Sequence, residues 1–233
     1  VLDSTNNEAK RLISKLDNLS VIAAVGQSAG RGQGDHSWYS TPGKNITATV
    51  VLKPNCLDAG DYLFVTRVTT LALLSYLASK GVQARIKWPN DIWVDERKIC
   101  GILIENITVR GKMEACLIGI GLNINQKAFE GDAPNPVSFI QVRGKETDRA
   151  AVLRHFLQRF EHYYSLLQNN KGEQVLEEYV RRMYRREGNH WYADAQGNFL
   201  ARLETVAPDG TLHLRDLDGN LRQYLFKEVS YLP

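Results

Sequence analysis

With 233 residues, three cysteines and a formal net charge of +3, the chain can hold one domain with a sizeable core, or one large and one small domain. So slight a charge, with no basic run longer than Arg181-Arg182 or Arg185-Arg186 (read as solvated helix ends), argues against a nucleic-acid partner, and the unpatterned Cys56, Cys100 and Cys116 fit a reducing, cytoplasmic compartment without a disulfide framework. No window approaches the roughly 18 to 20 apolar residues of a membrane span, no signal peptide is visible, and the five histidines lack the spacing of a zinc site.

Thr5-Asn6-Asn7-Glu8 has the form of a capping box, and Ala9, Leu12, Ile13 and Leu16 follow at helical spacing. A helix is expected from Asn6 to Leu16 with Thr5 as its cap, so Ser4 and Thr5 need no ligand to explain them. Strands are expected at Ser20–Gln27 and Asn45–Leu52, then a long buried helix from Asp61 to Lys80 ended by Gly81. Further strands fall at Ala84–Trp88, Asp91–Val94, Lys98–Val109 and Lys112–Asn123, with turns at Asp95-Glu96 and Arg110-Gly111. Hairpins of this kind make a mixed or antiparallel sheet with helices on one face, an α+β fold. Gly131 to Gly144 reads as irregular; Thr147–Gln168 and Glu173–Arg185 read as amphipathic helices.

Beyond Glu187-Gly188 the pattern changes to short strands at His190–Ala193, Leu200–Val206, Thr211–Asp216 and Arg222–Phe226. Gln196-Gly197-Asn198, Pro208-Asp209-Gly210 and Asp218-Gly219-Asn220 are hairpin signals between them. Residues 187–233 are therefore expected to form a small β-barrel, apart from a domain at 1–186.

Two segments carry chemistry. Gly30-Arg31-Gly32-Gln33-Gly34-Asp35-His36-Ser37-Trp38 places three glycines at alternate positions between apolar stretches. Such backbone can approach a ligand closely and turn N–H groups toward an anion. Arg31 adds a planar charged fork for carboxylate or phosphate, and Trp38 a flat apolar face. From spacing alone, a flexible hairpin end is an equal reading. Adjacent Asp35 and His36 do not aim at one atom and are not read as a dyad.

The second segment is Lys87-Trp88-Pro89-Asn90-Asp91-Ile92-Trp93-Val94, followed by Arg97-Lys98-Ile99-Cys100-Gly101-Ile102-Leu103. Pro89-Asn90-Asp91 is turn chemistry. Lys98 on its own reads as a solvated edge charge, and Trp88 and Trp93 as core or sheet face rather than ligand contacts. Asp91 could bond a substrate, orient Lys98 or coordinate Mg²⁺. Gly119-Ile120-Gly121 could be close strand packing, and Asn123 a turn cap.

In their order, Ser4-Thr5-Asn6, Gln27-Ser28-Ala29-Gly30-Arg31-Gly32 with Trp38, and Lys87-Trp88-Pro89-Asn90-Asp91 with Arg97-Lys98 and Gly101-Ile102-Leu103 make the chain resemble the biotin protein ligases, from Leu2 to the C-terminus. The resemblance implies a class II synthetase-like biotin/lipoate ligase fold with an SH3-like tail, in a minimal form with no DNA-binding domain ahead of it. It implies an ATP-dependent ligase that forms biotinyl-5′-AMP and transfers biotin to a lysine of a biotin carboxyl carrier domain. Mg²⁺ would accompany ATP, and a homodimer through the central sheet is a further expectation.

Carried over by position, Ser4, Thr5, Asn6, Gln27, Gly30, Arg31, Gly32, Lys98, Gly101 and Gly119 fall on biotin contacts. Arg31, Gly32, Gln33, Trp38, Asn90, Asp91, Lys98 and Asn123 fall on the nucleotide, with Lys98 and Arg31 as the catalytic cations. The commonest loop of the family reads Gly-Arg-Gly-Arg-Arg-Gly. Here Gln33, Gly34 and Asp35 remove two positive charges and add a negative one, and Gln33 offers phosphate only a weaker, neutral donor. A lipoate- or octanoate-transferring relative and a catalytically weak carrier-binding module are the competing readings. Gly-Arg-Gly together with Lys-Trp-Pro-Asn-Asp favours the biotin branch.

Overall fold

The computed structural model describes residues 1–34, 36–54, 62–110, 112–129 and 135–233. Asp35, Cys56, Asp61, Gly111 and residues 131–134, which entered the expectations above, lie outside the described residues. In chain order the elements are α1 (Thr5–Leu12), a 3-10 turn (Ile13–Lys15), β1 (Ser20–Ala24), β2 (Ile46–Leu52), α2 (Tyr62–Ser79), β3 (Arg85–Lys87), β4 (Asp91–Val94), β5 (Arg97–Val109) and β6 (Lys112–Leu122). They continue with α3 (Phe139–Arg143), α4 (Arg149–Gln168), α5 (Gly172–Arg181), β7 (His190–Asp194), β8 (Gly197–Val206), β9 (Leu212–Asp216), β10 (Leu221–Tyr224) and β11 (Ser230–Tyr231). No helix among the described residues is long and apolar enough to cross a membrane.

Strands β1 to β6 form one sheet in the order β1-β2-β6-β5-β4-β3, and every neighbouring pair is antiparallel. Strand side chains alternate between faces. Ile46, Ala48, Val50 and Leu52 of β2 enter the main core with Ile118 and Ile120 of β6, Val65, Val68 and Leu71 of α2, and Phe156 and Phe160 of α4. The long helices thus share one face. Val51 and Leu117 point the other way and meet Ala9, Ile13 and Leu16, so α1 covers the β2 end of the second face. The rest of that face is left for the site.

Several local expectations change. The first helix is preceded by Ser4 as its N-cap residue, and the Ser4 side chain makes no capping bond. Thr5 is not the cap because its hydroxyl is bonded sideways, to Gln27 and Thr49. Within the stretch expected to be irregular, Ser138 and Gln141 close a capping box around α3. The motif Ser138-Phe139-Ile140-Gln141 carries that signature in the sequence. Helix α5 stops at Arg181 rather than Arg185 because Arg182 and Tyr184 pair with the β3 edge: Ile86 N–H donates to Arg182 O at 2.9 Å and Tyr184 N–H to Ile86 O at 2.8 Å.

The C-terminal strands form a five-stranded antiparallel sheet in the order β10-β9-β8-β7-β11. Its edges are β10 and β11, with no ladder joining them among the described residues, so the expected barrel is an open sheet in its hydrogen bonding. Leu203 and Leu214 of this sheet belong to the same apolar cluster as β2 and α2. Arg185 and Arg186, expected as a solvated helix end, brace it: Arg185 Nη1 donates to Leu232 O at 2.6 Å and Arg186 Nη1 to Leu203 O at 2.9 Å. Arg67 of α2 is 2% exposed; it donates to Ala207 O at 3.2 Å and Pro208 O at 2.6 Å. Burial lowers its pKa, and Tyr179 and Asp209 partly offset that.

Candidate functional site

Two rungs of the six-stranded sheet floor a cavity of about 1150 Å³. Thr47, Gly121 and Gly101 stand side by side in one rung, and Thr49, Gly119 and Leu103 in the next. A glycine inside a strand marks close approach, and here the approaching groups are visible. The Trp38 indole lies on the first rung: a Cβ on Gly101 would stand 2.7 Å from the ring, and one on Gly121 would overlap it. The Asn6 amide lies on the second rung, with Oδ1 2.6 Å from where a Cβ on Gly119 would be. Gly119 is therefore roofed by Asn6 rather than open floor.

The neutral end of the cavity is built by the entry to α1. Residues 2 and 3 pair with the chain ahead of the glycine hairpin, Ser28 N–H donating to Leu2 O and Ala29 N–H to Asp3 O, each at 2.9 Å. This docks Ser4, Thr5 and Asn6, all at most 4% exposed, beside Gln27. Gln27 Oε1 accepts from Thr5 N–H at 2.8 Å and from Thr5 Oγ1 at 3.1 Å. Thr49 Oγ1 reaches Asn6 Oδ1 at 2.6 Å, and Asn6 Nδ2 donates to Glu105 Oε2 at 2.9 Å.

Lys98 occupies the middle. Its backbone is paired on both sides, with Trp93 of β4 and with the chain at Asn135–Val137. Its Nζ lies 2.8 Å from Asp91 Oδ2 and 5.6 Å from the Trp38 ring centre. With its side chain 25% exposed, Lys98 is not a solvated edge charge, and of the three roles open to Asp91 the one seen is holding the ammonium. Asn90 Nδ2 donates to Ile102 O at 2.8 Å, and Tyr179 Oη to Pro89 O at 2.6 Å. Asn90 thus braces its turn against β5, although it still lines the cavity. Trp88 and Trp93 are both buried at 8% exposure, and Trp88 also lines the cavity.

The segment from Gly30 to Trp38 folds back on itself, with Gly32 N–H donating to His36 O at 2.7 Å and Trp38 N–H to Gly30 O at 2.9 Å. One of the loop's expected anion donors is therefore already bonded. Gly32 and Gln33 line the cavity. Arg31 Nη1 bonds both Glu105 oxygens and, at 3.2 Å, Asn7 Oδ1, so its partners lie at the α1 side and not at Lys98. Burial would raise the pKa of Glu105, but the Asn6 hydrogen bond and the charges of Arg31 and Lys10 more than offset it, holding it below the usual glutamate value.

Beside Trp38 a smaller recess of about 50 Å³ is lined by Lys98, Asn123, Phe129 and Pro136. Asn123 Nδ2 donates to Val137 O at 3.1 Å, whereas Asn123 Oδ1 and Trp38 Nε1 are buried without a hydrogen-bond partner among the described residues. Buried polar atoms are rarely left so.

A model of the Biotin/lipoate A/B protein ligase family matches residues 1–123, more than half of the chain. The chain belongs to this family. It is 32% identical over 171 residues to the bifunctional ligase/repressor BirA of Bacillus spizizenii, covering 70% of this chain and 52% of that protein. It is 34% identical over 161 residues to the biotin–[acetyl-CoA-carboxylase] ligase of Paracoccus denitrificans, covering 66% of this chain and 65% of that one. The chain thus spans about half the length of its Bacillus relative. A biotin protein ligase from Aquifex aeolicus in complex with biotin and ATP has the same fold, with a TM-score of 0.82 at 21% identity over 98% of this chain and 94% of that one.

In this biotin/lipoate ligase-family chain, sequence reasoning missed Thr49, Glu105 and the cavity wall made by Phe226, Lys227 and Tyr231, and read Gly121 only as close strand packing. Glu105 and Gly121 carried a signal: each follows a singled-out glycine at strand spacing on the same face, Gly101 and Gly119 respectively. Lys87 carried none. Its Nζ sits 3.9 Å from the Trp93 ring centre and 5.2 Å from that of Tyr231. Burial lowers its pKa, and Asp91 partly offsets the shift.

Proposed function

We propose that the chain activates biotin with ATP and transfers it to a lysine of a biotin carboxyl carrier domain. The observation that carries this reading is the polarity of one cavity. It has a neutral hydroxyl-and-amide end at Ser4, Thr5, Asn6 and Gln27 and a carboxylate-held cation at Lys98, and the smaller recess beside Trp38 adds an acceptor on Asn123 that has no partner among the described residues. A cyclic urea is neutral and carries both donors and an acceptor, which suits the first end. A lipoyl or octanoyl chain would set apolar atoms that offer no hydrogen bonds against that polar end. The names of the Paracoccus and Aquifex proteins support the same choice.

In the first step a biotin carboxylate oxygen attacks the α-phosphorus of ATP. The bond from that phosphorus to the bridging oxygen breaks, and pyrophosphate leaves with the electron pair. Lys98 offsets the repulsion between carboxylate and phosphate and stabilises the charge that builds on the phosphoryl oxygens. Asp91 fixes where the ammonium points. In the second step a carrier lysine amine attacks the carbonyl carbon of biotinyl-5′-AMP, AMP leaves with the electron pair, and the amine loses a proton. The hairpin from Gly30 to Trp38 shields the mixed anhydride from water. Arg31 is held to Glu105 through Nη1, and moving the whole guanidinium to the substrate would rearrange the hairpin.

Among the described residues no three His, Cys, Asp or Glu side chains converge as a metal cage. Mg²⁺ would arrive on the nucleotide, as it usually does, and Asp91 is the one carboxylate lining the cavity among the described residues. We take 1–186 as the catalytic domain and 187–233 as the SH3-like domain. The β1 edge is the one a homodimer would extend, since Arg182–Tyr184 cover β3.

Incubation with biotin, Mg·ATP and a biotin carboxyl carrier domain should add one biotin mass to the carrier. A carrier that gains lipoate or octanoate and never biotin would overturn the reading. Carrier binding without adenylate would make the chain a binding module.

A further inference from the structure

We propose that Lys227, in the turn between β10 and β11, binds the β- and γ-phosphates of ATP and then the departing pyrophosphate. The proposal rests on the adenylate-forming reading above and assigns that site a phosphate contact from outside the glycine hairpin.

The first observation is position. The hairpin carries one arginine, and that arginine is bonded to Glu105 and Asn7. Gln33 and Gly34 follow where the resemblance leads one to expect basic side chains. Lys227 Nζ lies 3.1 Å from where a Cβ on Gly34 would stand, and Lys227 and Gln33 both line the cavity. An ammonium from the C-terminal turn therefore reaches the hairpin tip, and the missing side chain at Gly34 leaves it room.

The second observation is backbone conformation. Lys227 has φ +73°, in a turn where Glu228 N–H donates to Leu225 O at 3.1 Å and Leu225 N–H to Glu228 Oε2 at 2.6 Å. Glycine adopts that conformation freely and L side chains rarely do. Of the seven non-glycine residues with positive φ among the described residues, Lys227 is the one that lines the cavity.

The third observation is how charge is shared. Of the other cations lining the cavity, Arg31 faces Glu105, Lys98 faces Asp91, and Lys87 is held against the Trp93 ring. Lys227 stands 5.9 Å from the Phe226 ring centre and makes no ion pair among the described residues. Lys98 works at the carboxylate and the α-phosphorus, which leaves the β- and γ-phosphates a place for a further cation. As the bond at the α-phosphorus breaks, the electron pair goes to an oxygen of pyrophosphate, and a cation beside that group stabilises the transition state. A lysine ammonium is a compact point charge and binds phosphate without demanding a fixed bidentate geometry.

The test separates the two half-reactions. Biotin-dependent exchange of labelled pyrophosphate into ATP reports the first, and transfer from preformed biotinyl-5′-AMP to the carrier reports the second. Lys227→Gly should weaken the apparent affinity for ATP and pyrophosphate in exchange by about 10-fold, with the transfer rate unchanged. The same variant should melt no lower than the parent, because glycine suits the left-handed position. Lys227→Arg should restore exchange. Exchange kinetics in Lys227→Gly equal to the parent's would overturn the proposal, as would an equal loss in both half-reactions, the mark of a structural role. A parent chain with no biotin-dependent exchange at all would overturn the adenylation reading itself, and this proposal with it.

Discussion

Arg31 Nη1 lies 3.1 Å from each carboxylate oxygen of Glu105, tying the glycine hairpin to β5. The same carboxylate accepts from Asn6 at 2.9 Å and faces Lys10 at 3.6 Å. One acid therefore positions an element of the neutral end and an element of the loop together, and it does so in its charged form.

Glu105→Gln should lower stability at neutral pH by about 1 kcal/mol, a figure reduced for the exposure of Arg31. Because the folded pKa lies below the ordinary 4.5, the charge contributes fully above that value and is lost as pH falls through the folded pKa. Melting curves of parent and variant should draw together below pH 4.5. A gap that stays constant into acid would mean the shape of the side chain matters and its charge does not.

Lys98→Ala should melt like the parent and lose about 10²-fold in adenylate formation, as removal of a charge-assisted transition-state contact does. Asp91→Asn keeps the volume but loosens the ammonium 2.8 Å away, so a smaller loss in turnover with unchanged biotin affinity is expected. Steady-state kinetics beside calorimetry reads both.

Asn123→Ala should raise the KM for ATP about 10-fold, the worth of one buried hydrogen bond, and leave biotin binding alone. The 6-amino group of adenine can donate to Asn123 Oδ1, whereas guanine presents an acceptor there. The parent should therefore reject GTP, and the variant should narrow the ratio. An unchanged ATP-to-GTP preference would remove Asn123 from base recognition.

Gly121→Ala should expel the Trp38 indole, since the strand backbone is paired on both sides and cannot give way. Misplacing a positioning group by about 1 Å costs on the order of 10²-fold in rate. Trp38 emission, isolated by comparison with Trp38→Phe, should shift to the red; an unshifted spectrum would mean the ring does not rest there in solution.

Arg67→Met should cost about 3 kcal/mol, because Ala207 O and Pro208 O lose a charged donor inside the core. Urea melts should show the midpoint falling, with the C-terminal sheet becoming sensitive to protease first.

The strands and the long helices were legible because periodicity is a local property: β2, β4, β5, β6 and α2 all lie within a residue or two of their expected bounds. What periodicity does not show is which distant groups compete for a side chain. Thr5 fits a capping box, yet Gln27 and Thr49 take its hydroxyl. Arg31 reads as a phosphate fork, yet a carboxylate on β5 takes the guanidinium. Lys98 reads as an edge charge until the chain at Asn135–Val137 pairs its free side. The wall formed by Lys227 and Tyr231 had no signal at all, since nothing local says that the last turn of the chain returns to a glycine hairpin near its start.

Gly101 and Gly121 sit opposite one another beneath a single removable ring, so the depth of the cavity at that point is a sequence variable separate from the sheet that supports it. Trp38→Ala would deepen the floor by the thickness of an indole while leaving both glycines in register. A nucleotide enlarged on its base, too thick for the parent, would then fit. The rung is a place where one substitution can pair a variant with a nucleotide analogue that the parent does not use.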